Sequence, residues 1–254
     1  MCVVNRQGRR HTVGAFERLV AGAGLVVSSP AMALSAVAIK ASSPGPVLFR
    51  AERVGHAEVP FTMYKLRTMH QGAQAAGSIT GGRDPRIFRA GQVLRSLKLD
   101  EIPQLVNVVR GEMSFFGPRP EAVDVVEKHY APWMMESLEV PPGIVGPGSL
   151  GYFLEEDQLP DDPAEAERHY ASVLLPRKIA RELVYVRRRT LAYRLELLLR
   201  TLLGIVKLRG LLSGAAEREE RAATEILCSL GELPAEPTTL PVSGDRGGDD
   251  HDPR

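Results

Sequence analysis

Cysteine is nearly missing from this chain. Two residues, Cys2 and Cys228, stand at opposite ends of 254. They give no disulfide framework and no metal-ligand spacing, which fits a reducing compartment. Histidine is as sparse: six residues are scattered with no HExxH or related array, so ordinary surface or core histidines are expected. The polar, Gly/Ala-rich stretch 70–83, HQGAQAAGSITGGR, lacks the GxxxxGK[ST] pattern and reads as a loop, not a phosphate cradle. Aromatic residues make up 6% of the chain, so its basic residues come without a stacking platform and no nucleic-acid partner is expected. Net charge is almost nil at +1, but the total hides an asymmetry. Residues 213–254 hold ten acidic and four basic residues, a balance of −6, which leaves +7 on 1–212. A basic body suits phosphates, nucleotides or an anionic membrane face.

With 44% hydrophobic and 25% charged residues, the chain reads as globular, with room for one sizeable domain. A basic N-terminal segment, 1–18, precedes LVAGAGLVVSSPAMALSAVAI at 19–39, which carries no charge and ends at Lys40. As one helix, this run would be about 30 Å long, close to the hydrocarbon thickness of a bilayer. A cleaved signal peptide is disfavoured, because Ser28-Ser29-Pro30 sits at its centre and Lys40 follows directly. Two membrane geometries fit. In one, a kinked helix spans the bilayer. In the other, Ser29-Pro30 breaks a re-entrant helix, so that basic residues on both flanks stay on one face. In either case a hydroxyl of Ser28 or Ser29 can take up the carbonyl that Pro30 leaves without a donor. Composition leaves the two even.

The chemistry-bearing stretch is 95–121, RSLKLDEIPQLVNVVRGEMSFFGPRPE. Pro103 is tolerated only in the first turn of a helix, so a helix is expected to start near Asp100. Asp100 and Glu101 would then sit at the positive end of its dipole, which favours their ionised forms. Alone, such a pair is usually a cap and a first-turn acid. Here Arg95 and Lys98 lie just upstream, and Gly117-Pro118-Arg119-Pro120 just downstream holds an arginine on a backbone stiffened by two prolines. Acid and base gathered in this way suit a metal-phosphate ligand.

The segment LKLDEIPQLVNVVRGEMSFFGPRPE resembles the signature of the bacterial sugar transferases, the monotopic polyprenyl-phosphate phosphoglycosyl transferases. The resemblance extends to SSPGPVLFRAERVG, FTMYKLRTM and DPRIFRAGQVLRSLKLDE, and more weakly to PPGIVG, covering most of 12–205. It implies an α+β, mostly helical protein: a re-entrant membrane helix (19–40) broken at Ser29-Pro30, then a catalytic domain (41–212) with amphipathic interfacial helices. The implied reaction moves a sugar-1-phosphate from a UDP-sugar to polyprenyl phosphate and releases UMP. It would be the first membrane step of surface glycan assembly, on the cytoplasmic face of the bacterial inner membrane. Asp100 would be the nucleophile and a ligand of Mg2+, and Glu101 would manage a proton or help hold the metal. Lys65, Arg95 and Arg119 would bind phosphate oxygens. Lipids are expected partners, and the oligomeric state is open. Two features depart from the family pattern. The 141–152 loop lacks the usual basic residue and the longer polar motif, and Arg194 stands where relatives often carry an acid. Rival readings are direct one-step transfer, with Asp100 only binding Mg2+, and a non-catalytic membrane scaffold.

Other expectations concern elements. VLF and FTMYKLRTM read as short strands, with Lys65 and Arg67 by default on a solvated face. Residues 84–99 and 121–140 read as helices, 141–152 as a Pro/Gly turn cluster, and 153–170 as an acidic stretch. Residues 174–207 read as one or two Arg/Leu-rich helices that either pack on the core or lie in the membrane interface. The acidic tail, 213–254, reads as disordered, with an isolated helix possible over 215–230.

Overall fold

The computed structural model describes residues 13–73, 84–148, 163–205 and 213–232. Helix α1, Ala15–Ser42, contains the whole uncharged run. Ser29-Pro30, expected to break it, instead lies within continuous helix. The carbonyl of Val26, which Pro30 deprives of a backbone donor, accepts the Ser29 hydroxyl at 2.7 Å, and Ser28 donates to Gly24 O at 2.7 Å. These hydroxyls offset what the proline costs the helix.

α1 is tied to the rest of the chain at both ends. Glu17 Oε1 accepts the Ser114 hydroxyl and the Phe115 N–H, both at 2.6 Å, and Arg18 Nε donates to Val109 O at 2.7 Å. At the far end, the Arg67 guanidinium donates to Ser43 Oγ and Ser43 O, each at 2.8 Å. Between these ties Ala21 and Ile39 are fully buried. On its outer side, Phe16, Leu19, Val26, Val27, Leu34 and Val37 are 68–81% exposed. Such an apolar face has no reason to meet water.

Strands β1 (Leu48–Val54) and β2 (Pro60–Leu66) form an antiparallel hairpin. Phe49↔Lys65, Ala51↔Met63 and Arg53↔Phe61 are paired, and the two-residue period puts all six on one face. That face covers a core shared with Ala21, Val108 and Met113. Helix α2 (Arg89–Ser96) starts later than the sequence suggested. Asp84 folds back instead, accepting the Arg86 N–H at 2.9 Å and closing a turn. Gly91 lies so close to the Thr68 carbonyl that any Cβ would overlap it.

A 3-10 turn, Leu99–Glu101, follows, entered through Lys98 at φ 58°. Helix α3 begins only at Gln104, with Pro103 as its cap. The acid pair therefore precedes the helix rather than opening it. The Pro103 ring would clash with the carbonyl four residues earlier in an α-helix, so the chain upstream takes the tighter turn.

After α3 (Gln104–Arg110), β3 (Ser114–Phe116) pairs in parallel with β4 (Gly143–Val145). A short strand thus lies inside the expected turn cluster. Gly117 and Gly143 make it possible, since a side chain on Gly143 would collide with the Gly117 backbone. The span 121–140 divides into α4 (Val123–His129) and a 3-10 helix, Pro132–Glu139. Helix α5 (Pro163–His169) runs through a π-helical stretch, Tyr170–Leu174, into α6 (Leu175–Arg187). After a break at 188–190 comes α7, Leu191–Ile205.

Helix α8, Ser213–Ser229, is neither disordered nor isolated. Its Ala222, Ala223, Ile226 and Leu227 join the core with Leu175, Ile179 and Leu183 of α6. Small alanines let α8 approach α6, and polar ties fix α8 to both α7, through Glu219, and α6, through Glu220. Glu219 accepts from Arg200 at 2.6 Å and from the Tyr193 hydroxyl at 2.8 Å, and Arg181 pairs with Glu220 at 2.6 Å. The rest of the expected tail, 233–254, and most of the acidic stretch 153–170 lie outside the described residues. The fold is mostly helical α+β, with one helix among the described residues long and apolar enough to enter a membrane.

Candidate active site

Asn107 brings the hairpin to the acid pair. It is fully buried on α3; its side chain accepts the Tyr64 N–H at 3.1 Å and donates to Thr62 O and Glu112 Oε2, both at 2.7 Å. This staples α3 to β2 next to Lys65. Lys65 then points at Glu101, Nζ to Oε1 3.8 Å. Lys98 approaches the same oxygen at 3.9 Å and Arg119 Nη2 at 3.2 Å. Burial opposes the Glu101 charge, but Arg119, Lys65 and Lys98 outweigh it and hold the carboxyl well below the usual range. Glu101 in turn pushes the Arg119 guanidinium up. Burial, then the Arg119 charge, lower Lys65 to about 7.

Asp100 is different. It is 7% exposed, and its buried Oδ1 has no hydrogen-bond partner. Burial, then the neighbouring Glu101 charge, raise its pKa. A buried, unpaired carboxylate oxygen is costly and marks a place where something else binds or reacts. Among the described residues, no three His, Cys, Asp or Glu side chains gather closely enough to hold a metal by themselves. Mg2+ is commonly held by one or two carboxylates plus substrate phosphates, and the free Asp100 oxygen fits that pattern.

Lys65, Asp100, Glu101 and Arg119 are thus brought together. The family model of the bacterial sugar transferases matches residues 9–208. The chain belongs to this family. A putative undecaprenyl-phosphate N-acetylgalactosaminyl 1-phosphate transferase of Bacillus subtilis is 42% identical over 106 residues, covering 41% of this chain and 59% of that one. A UDP-glucose:undecaprenyl-phosphate glucose-1-phosphate transferase of Caulobacter vibrioides is 43% identical over 123 residues, 46% of this chain and 45% of that one. A UDP-N-acetylgalactosamine-undecaprenyl-phosphate N-acetylgalactosaminephosphotransferase of Aeromonas hydrophila is 40% identical over 144 residues, 55% and 34%. The chain spans between a third and three-fifths of the length of these relatives.

Arg95 does not touch the acid pair. Its Nε donates to the Thr68 hydroxyl at 2.9 Å, and its charge reaches Asp100 only at longer range. Arg67, expected on a solvated face, is 5% exposed and anchors the exit of α1. Ser29 and Pro30 lie on the exposed side of α1.

Beneath Arg119 lies a second cluster that the motif reading missed. Glu121 is buried and bonds Lys178 Nζ, with the Tyr170 hydroxyl 3.4 Å from each of its oxygens. Burial opposes its charge, but Lys178, then Arg53 and Arg119, keep its pKa low. Glu182 Oε1 accepts the Arg119 backbone N–H at 3.0 Å, while its Oε2 is buried without a partner. Burial raises Glu182 to about 7. Lys178 and Glu182 sit one turn apart on α6 among Leu175, Ile179 and Leu183, all buried. Two charges at helical spacing on an otherwise apolar face were the available signal for a buried pair.

Proposed function

We propose that this chain transfers a sugar-1-phosphate from a UDP-sugar to polyprenyl phosphate, in two steps through a phosphosugar carried on Asp100. The observation that carries the reading is the free, buried Asp100 oxygen, beside a carboxylate that gathers three cations. In the first step, Asp100 attacks the β-phosphorus. The bond from that phosphorus to the oxygen bridging the two phosphates breaks, and UMP leaves with its electron pair. In the second step, a phosphate oxygen of the lipid attacks the same phosphorus, giving polyprenyl-diphosphate-sugar and the free carboxylate. Phosphoryl transfer needs positioning and charge neutralisation more than covalent assistance from other side chains. Arg119 and Lys65 supply cationic donors for the diphosphate oxygens. Glu101, strongly ionised, is a weak base; in this reading it arrays those cations rather than moving a proton. Arg95 contributes through its field. Asp100, together with substrate phosphates, would hold Mg2+, which would supply the shielding that lets an anion approach an anion.

The relatives' names support the substrate classes, a UDP-sugar and undecaprenyl phosphate. Glycan assembly at the cytoplasmic face of the inner membrane is the setting this reaction implies. The ties at both ends of α1 support a re-entrant or in-plane placement. The helix is about 42 Å long as a straight rod, and a spanning pose would draw the domain bonded along it into the hydrocarbon. Leu191, Leu195, Leu198, Leu199 and Leu202 on α7, 38–73% exposed at helical spacing, support a second contact with the interface.

The test is UMP release by purified protein with Mg2+, polyprenyl phosphate and a panel of UDP-sugars. Release with at least one sugar, dependent on Asp100, is expected. No release with any of them contradicts the reading and favours a scaffold.

A further inference from the structure

The hairpin brings one more cation to the site, which the motif does not single out. Arg53 and Lys65 lie on the same face of β1–β2, four residues apart along the strands, or about 13 Å. Both side chains are long enough to converge, and each charge lowers the pKa of its neighbourhood: Arg53 acts on Lys65, and Arg119 acts on both. The Arg53 backbone is bridged to Ala122, and Val54 N donates to Glu121 O at 3.0 Å. The Pro-Arg-Pro segment is therefore laid directly against this end of β1.

Two of the nearby carboxylates are engaged elsewhere, and Asp124 acts on Arg53 only through its field. Glu101 faces Arg119, Lys65 and Lys98, and Glu121 faces Lys178 and Tyr170. Arg53 Nε is buried with no hydrogen-bond partner. No carboxylate among the described residues comes within ion-pair distance of its guanidinium, and Glu121 compensates it only through its field. A guanidinium whose Nε is buried without an acceptor is unfavourable unless a ligand completes it. Its rigid fork of N–H donors matches phosphate oxygens two at a time.

We propose that Arg53 is a phosphate-binding residue, whose unpartnered guanidinium edge donates to a phosphoryl group of the substrate beside Arg119. The inference rests on the reading above that the ligands carry phosphate. Two sources share that chemistry: the diphosphate of the nucleotide sugar and the phosphate of the polyprenyl lipid.

The experiment uses the full chain in detergent with Mg2+, as wild type, Arg53→Met and Arg53→Lys. Three quantities are read: thermal midpoint without ligand, affinity for UDP, and the KM for polyprenyl phosphate in the turnover assay. Arg53→Met is expected to match or exceed the wild-type midpoint, because a guanidinium with a buried, unpaired Nε is gone. Either its UDP affinity or its KM for the lipid phosphate worsens tenfold or more, and the one that moves names the source. Arg53→Lys keeps the charge, loses the fork, and falls between. If Arg53→Met fails to fold, Arg53→Lys decides: wild-type values for both ligands overturn the inference. So does an Arg53→Met protein with a lowered midpoint and unchanged constants, which marks a structural residue. Wild-type protein that binds UDP and turns over beside unaffected variants sinks this inference alone. Wild-type protein that binds neither ligand sinks the proposed function as well.

Discussion

Two clusters of buried charge lie side by side and differ in how completely they are paired. Below, Glu121 is closed by Lys178 and Tyr170. Above, Glu101 is closed by three cations, but Asp100 Oδ1 and Arg53 Nε are left open. The lower cluster behaves as scaffold: Glu121 and Lys178 satisfy one another, and Glu182, whose Oε2 has no partner, carries the Arg119 turn through Oε1. In the proposed reading, the upper one is completed by a ligand that offers oxygens to a cation and an electrophile to a carboxylate. Burial alone does not separate site from scaffold here, since both clusters are buried. The kind of open atom differs: the upper cluster leaves both an acid and a cation open, Asp100 Oδ1 and Arg53 Nε, whereas the open atom of the lower one is an acid oxygen, Glu182 Oε2.

Breaking the two clusters should give opposite signatures. Asp100→Asn is expected to lower turnover by about three orders of magnitude or more with the thermal midpoint kept, as for loss of a nucleophile. Near-wild-type rates in the UMP assay would remove Asp100 from that role. Lys178→Met should do the reverse, leaving Glu121 buried without its main counter-charge. The expected loss is about 3–5 kcal/mol of stability, read by denaturant unfolding in detergent; an unchanged midpoint would deny the cluster its scaffold role.

Glu182 sharpens the comparison through pH. Its folded pKa is raised, to about 7, above that of an exposed glutamate. The folded state therefore holds this proton after the unfolded chain has released it. Its contribution to stability is full below about pH 4.5 and is lost as pH rises toward 7, by up to about 3 kcal/mol. Glu182→Gln keeps the Oε1 acceptor for Arg119 and should flatten the fall in thermal midpoint across that window. A variant whose midpoint still falls like wild type would show that Glu182 is not the group titrating. The smallest effect is expected at Ser29→Ala, which leaves the Val26 carbonyl unsatisfied next to Pro30. About 1 kcal/mol is expected, visible as faster hydrogen exchange in the centre of α1.

Much of this was legible in the sequence. A charge-free run of helix length, two strands with alternating burial, and an acid pair ringed by bases each leave a local pattern. What was hidden depends on tertiary partners. β4 is three residues long within Pro/Gly-rich sequence, and only its pairing with β3 makes it a strand. α8 carries a modest Ala/Ile/Leu face, whose docking on α6 no local rule foretells. Glu121 and Lys178 are 57 positions apart. Arg67 and Lys65, two residues apart, serve different ends: one anchors α1 and the other faces Glu101. The helix start was misplaced at Asp100 because Pro103 permits a first turn but does not say which kind.

The central claim is that Asp100 itself carries the sugar phosphate between donor and acceptor. Mass spectrometry of protein incubated with Mg2+ and the accepted UDP-sugar, without lipid, tests it most directly. The account predicts the added mass of one phosphosugar on the peptide holding Asp100, lost when polyprenyl phosphate is supplied and absent from Asp100→Asn. UMP released only in the presence of the lipid, with no added mass on that peptide, would contradict it and leave direct one-step transfer.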